Sequence, residues 1–162
     1  MPRTDLRPVS DSLVEMTEIV LPVDTNSHGS IFGGRVLALL DKCAAIVAMR
    51  HAHSLVLTAS LDSVAFLNAV QVGHVLILKG RLNAVFGSSM EAEVQVFSED
   101  PLTSQRKITT RAFVTMVAVG PDGKPHTAPP LLAANDAERQ RAADAGERRR
   151  SRLALRDASR NG

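Results

Sequence analysis

The sequence of 162 residues holds one cysteine, no tryptophan and no tyrosine. With Cys43 alone, an internal disulfide and a cysteine-rich metal centre are both excluded. Nothing requires an oxidising compartment. No uncharged apolar run reaches the roughly 18 residues of a membrane span. The opening stretch MPRTDLRPVSDSL lacks the apolar core of a secretory signal. The expectation is a cytoplasmic protein with no membrane partner. No metal-ligand spacing is present, so no metal or cofactor is expected.

What is present is ordinary in amount and uneven in placement. The apolar fraction of 44% and charged fraction of 22% suit one globular domain with a real core. Residues 1–134 carry 11 basic and 12 acidic side chains, whereas residues 135–162 carry 8 arginines against 5 acids. The high isoelectric point therefore belongs to the tail. A basic tail points to an anionic partner or to a solvated helix. It has no aromatic residue to stack on bases, which argues against nucleic acid.

Residues 1–12, with two prolines and mixed charge, read as a flexible leader. The segment 13–21, LVEMTEIVL, reads as a strand ended by Pro22, and 24–34 as a loop. RVLALLDKCAAIVAMRH, residues 35–51, is free of proline and glycine and apolar on nearly every face, which predicts a buried helix. Four strands follow, over 55–67, 74–86, 89–97 and 107–119. In the third, Met90, Ala92, Val94 and Val96 alternate with Glu91, Glu93 and Gln95, so one face is expected to meet the core and the other to face away. No helix lies between the strands, so the sheet is antiparallel. An antiparallel sheet wrapped around one long helix is an α+β hotdog domain, expected over 13–132, with a basic helical tail over 133–162.

Two features of DTNSHGSIFGGRVLALLD, residues 24–41, carry chemistry. The first is Asp41, an acid inside an apolar helix. A buried carboxylate is costly unless paired or hydrogen-bonded. Lys42 and Arg35 are its local cations, but residues one and six apart are poorly placed to meet on a helix. The other reading is a carboxylate held at a cleft for general-base or nucleophilic catalysis. The second is the glycine pair. A helix starting at Gly33 or Gly34 presents free N–H groups that a ligand can approach closely, as an oxyanion hole requires. Asp41 lies seven residues beyond Gly34, roughly 10 Å along the axis. One reacting carbonyl cannot easily touch both, so a composite site between antiparallel helices of two protomers is expected.

The stretches LPVDTNSHGSIFGGRVLALLDKCAAIVAMRH, TASLDSVAFLNAVQVG and GSSMEAEVQV together resemble the acyl-CoA hydrolases of the hotdog superfamily, among them the bacterial short-chain and brain-type cytosolic acyl-CoA thioesterases. The resemblance implies that Asn26 and Asp41 are catalytic from facing domains, with acyl-CoA as substrate. It implies that Gly87, Ser88 and Ser89 meet the pantetheine and phosphates, and that Ser63, Val64 and Phe66 line the substrate. It also suggests a hexamer built as a trimer of dimers. Arg149 and Arg150, in ERRRSRLALR, suit the phosphates of CoA. The pattern departs from the family at Ala69, where a proline is usual, and at His74, where an acid is usual. His28 lies inside the motif and is a lesser candidate base. His51 and His53 are expected to cap the helix, and Cys43 to be a small core residue. A related dehydratase would pair its acid with a histidine, which the helix interior lacks. A non-catalytic acyl-CoA sensor would need no acid at position 41.

Overall fold

The computed structural model describes residues 5–162. In chain order its strands are β1 (Arg7–Pro8), β2 (Val14–Ile19), β3 (Leu55–Leu61), β4 (Val75–Phe86), β5 (Ser89–Glu99), β6 (Arg106–Val119) and β7 (Leu131–Leu132). Helix α1 (Gly33–Ala52) precedes β3, and α2 (Asp136–Arg160) closes the chain. Five strands form one antiparallel sheet in the order β2-β4-β5-β6-β3. The hotdog architecture read from the pattern is the one found.

Alternation builds the core. Leu76, Leu78 and Leu82 of β4, Met90 to Val96 of β5 and Ala112 to Ala118 of β6 send every second side chain inward. They meet Val36, Leu39, Leu40, Cys43, Ala44, Val47 and Ala48, a stripe at helical spacing along α1. A side chain at Gly80 would come within 2.7 Å of Val47 and 2.8 Å of Cys43, so glycine lets helix and sheet touch there. The buried Cys43 thiol is pushed up to about 11 by desolvation, against the pull of Arg50. A thiol held protonated in that way behaves as a core residue.

The helix is not buried on nearly every face within this chain. Gly34, Ala38, Lys42, Met49 and Arg50 are exposed and Asp41 and Ala45 half-buried, because the sheet curls round one side only. The strand expected over 55–67 is shortened too: β3 ends at Leu61, and residues 62–69 leave the sheet.

The leader is corrected in part. Residues 1–4 lie outside the described residues, but Arg7 and Pro8 pair in parallel with Leu131 and Leu132, and Val9–Ser12 is a 3-10 turn with Val9 and Ser12 buried. Arg7 also donates to the backbone oxygen of His51. His53 does cap α1, in left-handed conformation, its N–H donating to Met49 O. His51 does not: it is wholly buried and its Nε2 lies 2.7 Å from Pro129 O, binding the end of α1 to the chain before β7.

Burial lowers the pKa of His51, with Arg7 and His53 adding to the effect and the bond to Pro129 opposing it. The unfolded chain therefore binds a proton here that the native chain refuses. Stability from this group is full above the ordinary value of 6.5 and is lost as pH falls below it. The urea midpoint is expected to decline on acidification from pH 7 to 5.5, and His51→Gln to flatten that decline; an equal slope in the variant excludes His51 as the cause.

Candidate active site

The motif loop is built around Asn26. Its Oδ1 accepts from the backbone N–H groups of His28 (2.9 Å) and Ser30 (3.3 Å), and its Nδ2 donates to Ser30 Oγ at 3.1 Å. Gly29 takes a positive φ of 76°, closing the turn. Phe32 N–H returns to Asp24 O, and the Asp24 carboxylate reaches Arg35 on the first turn of α1 at 3.1 Å. Arg35 is thus taken by Asp24 and does not pair with Asp41. The loop delivers the chain into α1 with the amides of Gly33 and Gly34 free: among the described residues neither makes a hydrogen bond.

Gly33 and Phe66 line one cleft of about 340 Å³, with Ser30, Val36, Asn68 and Thr109. A side chain at Gly33 would meet the Phe66 ring at 3.2 Å, whereas nothing lies within 4 Å of the space before Gly34. The glycine pair therefore has two jobs, close packing at 33 and open access at 34. Val64 is half-buried in the same irregular segment, and Ser63 faces a shallow groove beside Arg148.

Asp41 sits outside this cleft, on the uncovered side of α1. Its Oδ1 accepts a 2.6 Å hydrogen bond from Thr58 Oγ1 on β3. Sequence reasoning missed Thr58. The only signal was a hydroxyl on a strand expected to pack on the helix, and the pairing joins residues 17 apart with no shared period.

Gly87, Ser88 and Ser89 form the β4–β5 hairpin turn, with Phe86 paired to Ser89 and Gly87 at φ 69°. Glycine at the first central position suits a tight two-residue connection. Ser89 and Arg149 line a second cleft of about 530 Å³, with Ser60, Arg152 and Arg156. Arg149 also lies over the Phe86 ring at 4.9 Å. Arg150 points elsewhere, to Glu147.

The tail is neither a solvated helix nor wholly a ligand arm. Glu91 and Glu93, expected to face away from the core, are 0% and 2% exposed because α2 covers them. Glu91 accepts from Arg148 Nη2 (2.6 Å), Arg148 Nε (3.0 Å) and Asn83 Nδ2 (3.0 Å), and Arg152 approaches at 3.7 Å. Glu93 pairs with Arg111 at 2.8 Å. Arg148 lies 3.7 Å from the centre of the Phe113 ring, and Arg152 also pairs with Asp62 at 3.0 Å. Burial opposes the charge of Arg148, and Glu91 more than offsets this, raising its pKa. The signal was present: two glutamates on one strand face, and arginines at 148 and 152, four apart on one helix face.

The thioesterase superfamily model matches residues 28–105. An acyl-CoA thioester hydrolase of Bacillus subtilis is 35% identical over 85% of this chain and 80% of its own length. An acyl-CoA hydrolase of Staphylococcus aureus, solved in complex with butyryl coenzyme A, coenzyme A and coenzyme A disulfide, superposes with a TM-score of 0.89 at 34% identity, covering 97% of this chain and 96% of that one. Further structures of that enzyme carry alanine in place of one asparagine, one aspartate or one threonine. A hexameric acyl-CoA thioesterase gives a TM-score of 0.88 at 43% identity, covering 92% of this chain and 96% of that one. Mammalian acyl-CoA thioesterases match as well, and the chain spans 24–36% of their length. The fold and its loop-to-helix site define a thioesterase-superfamily protein. Within that superfamily, the chain belongs to the acyl-CoA thioester hydrolases.

Glu91→Ala strands Arg148 under α2 and is expected to cost about 3–5 kcal/mol, the usual consequence of breaking a buried pair. Denaturant titration measures it; a loss below about 1 kcal/mol, as for a surface pair, is incompatible with a structural α2.

Proposed function

We propose that the protein hydrolyses acyl-CoA thioesters at a site shared by two protomers. Asn26 and the Gly33–Gly34 amides come from one, and Asp41 and Thr58 from the other. The observation that carries this reading is the position of Asp41: held by Thr58, open to the outside, and separated from the free amides of its own helix by roughly 10 Å. A facing antiparallel α1 would bring the two halves together.

Three further points support it. The uncovered side of α1 presents Gly34, Ala38, Asp41 and Ala45, small enough for another helix to approach. Strand β3 is a sheet edge whose Leu55 and Leu57 are 69% and 59% exposed, an arrangement that favours pairing with a second copy. In the Staphylococcus aureus enzyme the substituted asparagine, aspartate and threonine are separated by 15 and 17 residues, the separations of Asn26, Asp41 and Thr58 here. A dimer completes the site, and the hexameric relatives favour a trimer of such dimers.

In this arrangement the amides receive the thioester oxygen and stabilise the charge that develops on it. Thr58 engages Oδ1 of Asp41 and leaves Oδ2 to take a proton from water. The water oxygen bonds to the carbonyl carbon, the carbon–sulfur bond breaks, and CoA leaves as the thiol once protonated. Asn26 orients the attacking water or the carbonyl. CoA phosphates lie toward Ser89 and Arg149. No metal or cofactor takes part, and the cytoplasm, where acyl-CoA is made and used, is the proposed location.

Thiol release from acyl-CoA is the direct assay. Asp41→Asn is expected to keep fold and size while lowering kcat by 10²–10⁴-fold, about 3–5 kcal/mol of barrier. Asn26→Ala loses less. Mixing the two inactive variants under subunit exchange should restore activity towards half the wild-type value in each mixed dimer. With exchange verified, no recovery rules out a site across the interface.

Arg149→Ala should raise KM several-fold with little change in kcat, an effect that shrinks as salt rises. Arg150→Ala, whose guanidinium is already paired, should do less. Equal KM values for wild type and Arg149→Ala at low salt would remove α2 from the CoA site.

A further inference from the structure

The carboxamide of Asn26 has two unlike ends, and the motif loop occupies one of them. An amide oxygen accepts two hydrogen bonds and an amide nitrogen donates two. Oδ1 faces the backbone N–H groups of His28 (2.9 Å) and Ser30 (3.3 Å). Both of these are donors only, so the amide cannot be turned end for end. Nδ2 gives one hydrogen to Ser30 Oγ at 3.1 Å, and among the described residues the other has no partner. Asn26 therefore offers a ligand one N–H and no lone pair.

The Ser30 hydroxyl fixes how that N–H is held. Its Oγ lies 3.1 Å from Nδ2 and 3.3 Å from Oδ1, and with Oδ1 already engaged by two backbone donors it serves as the acceptor for Nδ2. Without it only the oxygen end of the amide is held, and the nitrogen end is free to tilt. The backbone at this position does not depend on the hydroxyl. Ser30 O accepts from Asn26 N–H at 2.9 Å, Ser30 bridges to Gln71, and Ile31 N–H donates to Val70 O at 2.8 Å. Removing the hydroxyl thus leaves the loop in place. Ser30 and Gly33 line the same cleft, so the Asn26–Ser30 pair stands beside the free amides that begin α1.

Hydrolysis gives a lone donor a definite use. The attacking water yields a proton to Asp41 and needs its lone pair for the carbonyl carbon, and a donor on that oxygen would weaken the attack. The thioester oxygen gains negative charge in the same step, and a fixed donor there is worth more in the transition state than in the ground state. We propose that Ser30 is a positioning residue for this reaction: it holds the Asn26 amide so that its remaining N–H serves the thioester oxygen, alongside the Gly33–Gly34 amides. The proposal rests on the thioesterase reading and on Asn26 belonging to the site.

The test measures kcat and KM for thiol release from butyryl-CoA, with the urea midpoint as a check on the fold. Ser30→Ala should lower kcat by roughly 5–10-fold, the worth of one hydrogen bond, and leave KM and the urea midpoint unchanged. Ser30→Thr, which keeps the hydroxyl, should recover most of the loss. The effect should pass through Asn26: the double variant Asn26→Ala/Ser30→Ala is expected to be no slower than Asn26→Ala alone. Asn26→Asp keeps an acceptor for the His28 and Ser30 N–H groups and removes the donor, and it should be no faster than Asn26→Ala. A wild-type kcat in Ser30→Ala overturns the proposal and leaves the hydrolase reading intact. So does a loss in the Asn26→Ala background equal to that in wild type, which would make Ser30 act independently of Asn26. Near-wild-type turnover in Asn26→Asp overturns the donor role. If wild type itself releases no thiol, the hydrolase reading fails and the positioning role fails with it.

Discussion

One packing contact organises this molecule: the apolar stripe of α1 set into the concave face of a curled five-stranded sheet. Gly80 permits the approach, with Val47 and Cys43 filling the space a side chain would take. Each buried Val or Leu along the stripe is worth roughly 1.5–3 kcal/mol relative to exposure. A sheet curled round one helix covers one side of it. The uncovered side, carrying Asp41, is therefore a consequence of the same contact that makes the core.

The loop 24–32 turns that packing into a site. Its internal bonds around Asn26 and its Asp24–Arg35 pair fix how the chain enters α1, so the free amides face outward at a definite place. At the far end, the buried His51 and the β1–β7 pairing hold the helix terminus against the segment before α2. Both ends of α1 are secured by polar contacts, while its middle is held by burial and by the Thr58–Asp41 hydrogen bond.

Helix α2 adds a second layer on the outer face of the sheet. Its Arg148 and Arg152 neutralise the Glu91 carboxylate, which could not otherwise be buried, while Arg111 of β6 pairs with Glu93. Through Arg152 and Asp62 the same cluster reaches the start of the irregular segment that lines the cleft. The basic tail is thus continuous with the fold and with the walls of both clefts. Its charge is divided: Arg148 and Arg152 face the sheet, and Arg149 remains available beside Ser89.

The architecture was legible because periodicity is local. An apolar run free of proline and glycine over 35–51 and two-residue alternation in β4, β5 and β6 are written in consecutive residues. Asp41 and the glycine pair stood out for the same reason, as violations of a local pattern, and their incompatibility within one chain followed from helix rise alone. What the sequence could not determine were pairings between residues far apart: Thr58 with Asp41, Arg148 with Glu91, Arg152 with Asp62, Arg7 with the end of α1. It gave no sign that β3 stops at Leu61 or that β6 bulges at Thr109, because bulges answer to the strand beside them and not to the residues within. The glutamates of β5 read correctly as the face of the strand opposite the core, with nothing in the alternation to say that α2 covers them. Period determines which face a side chain is on; only tertiary packing decides what covers that face.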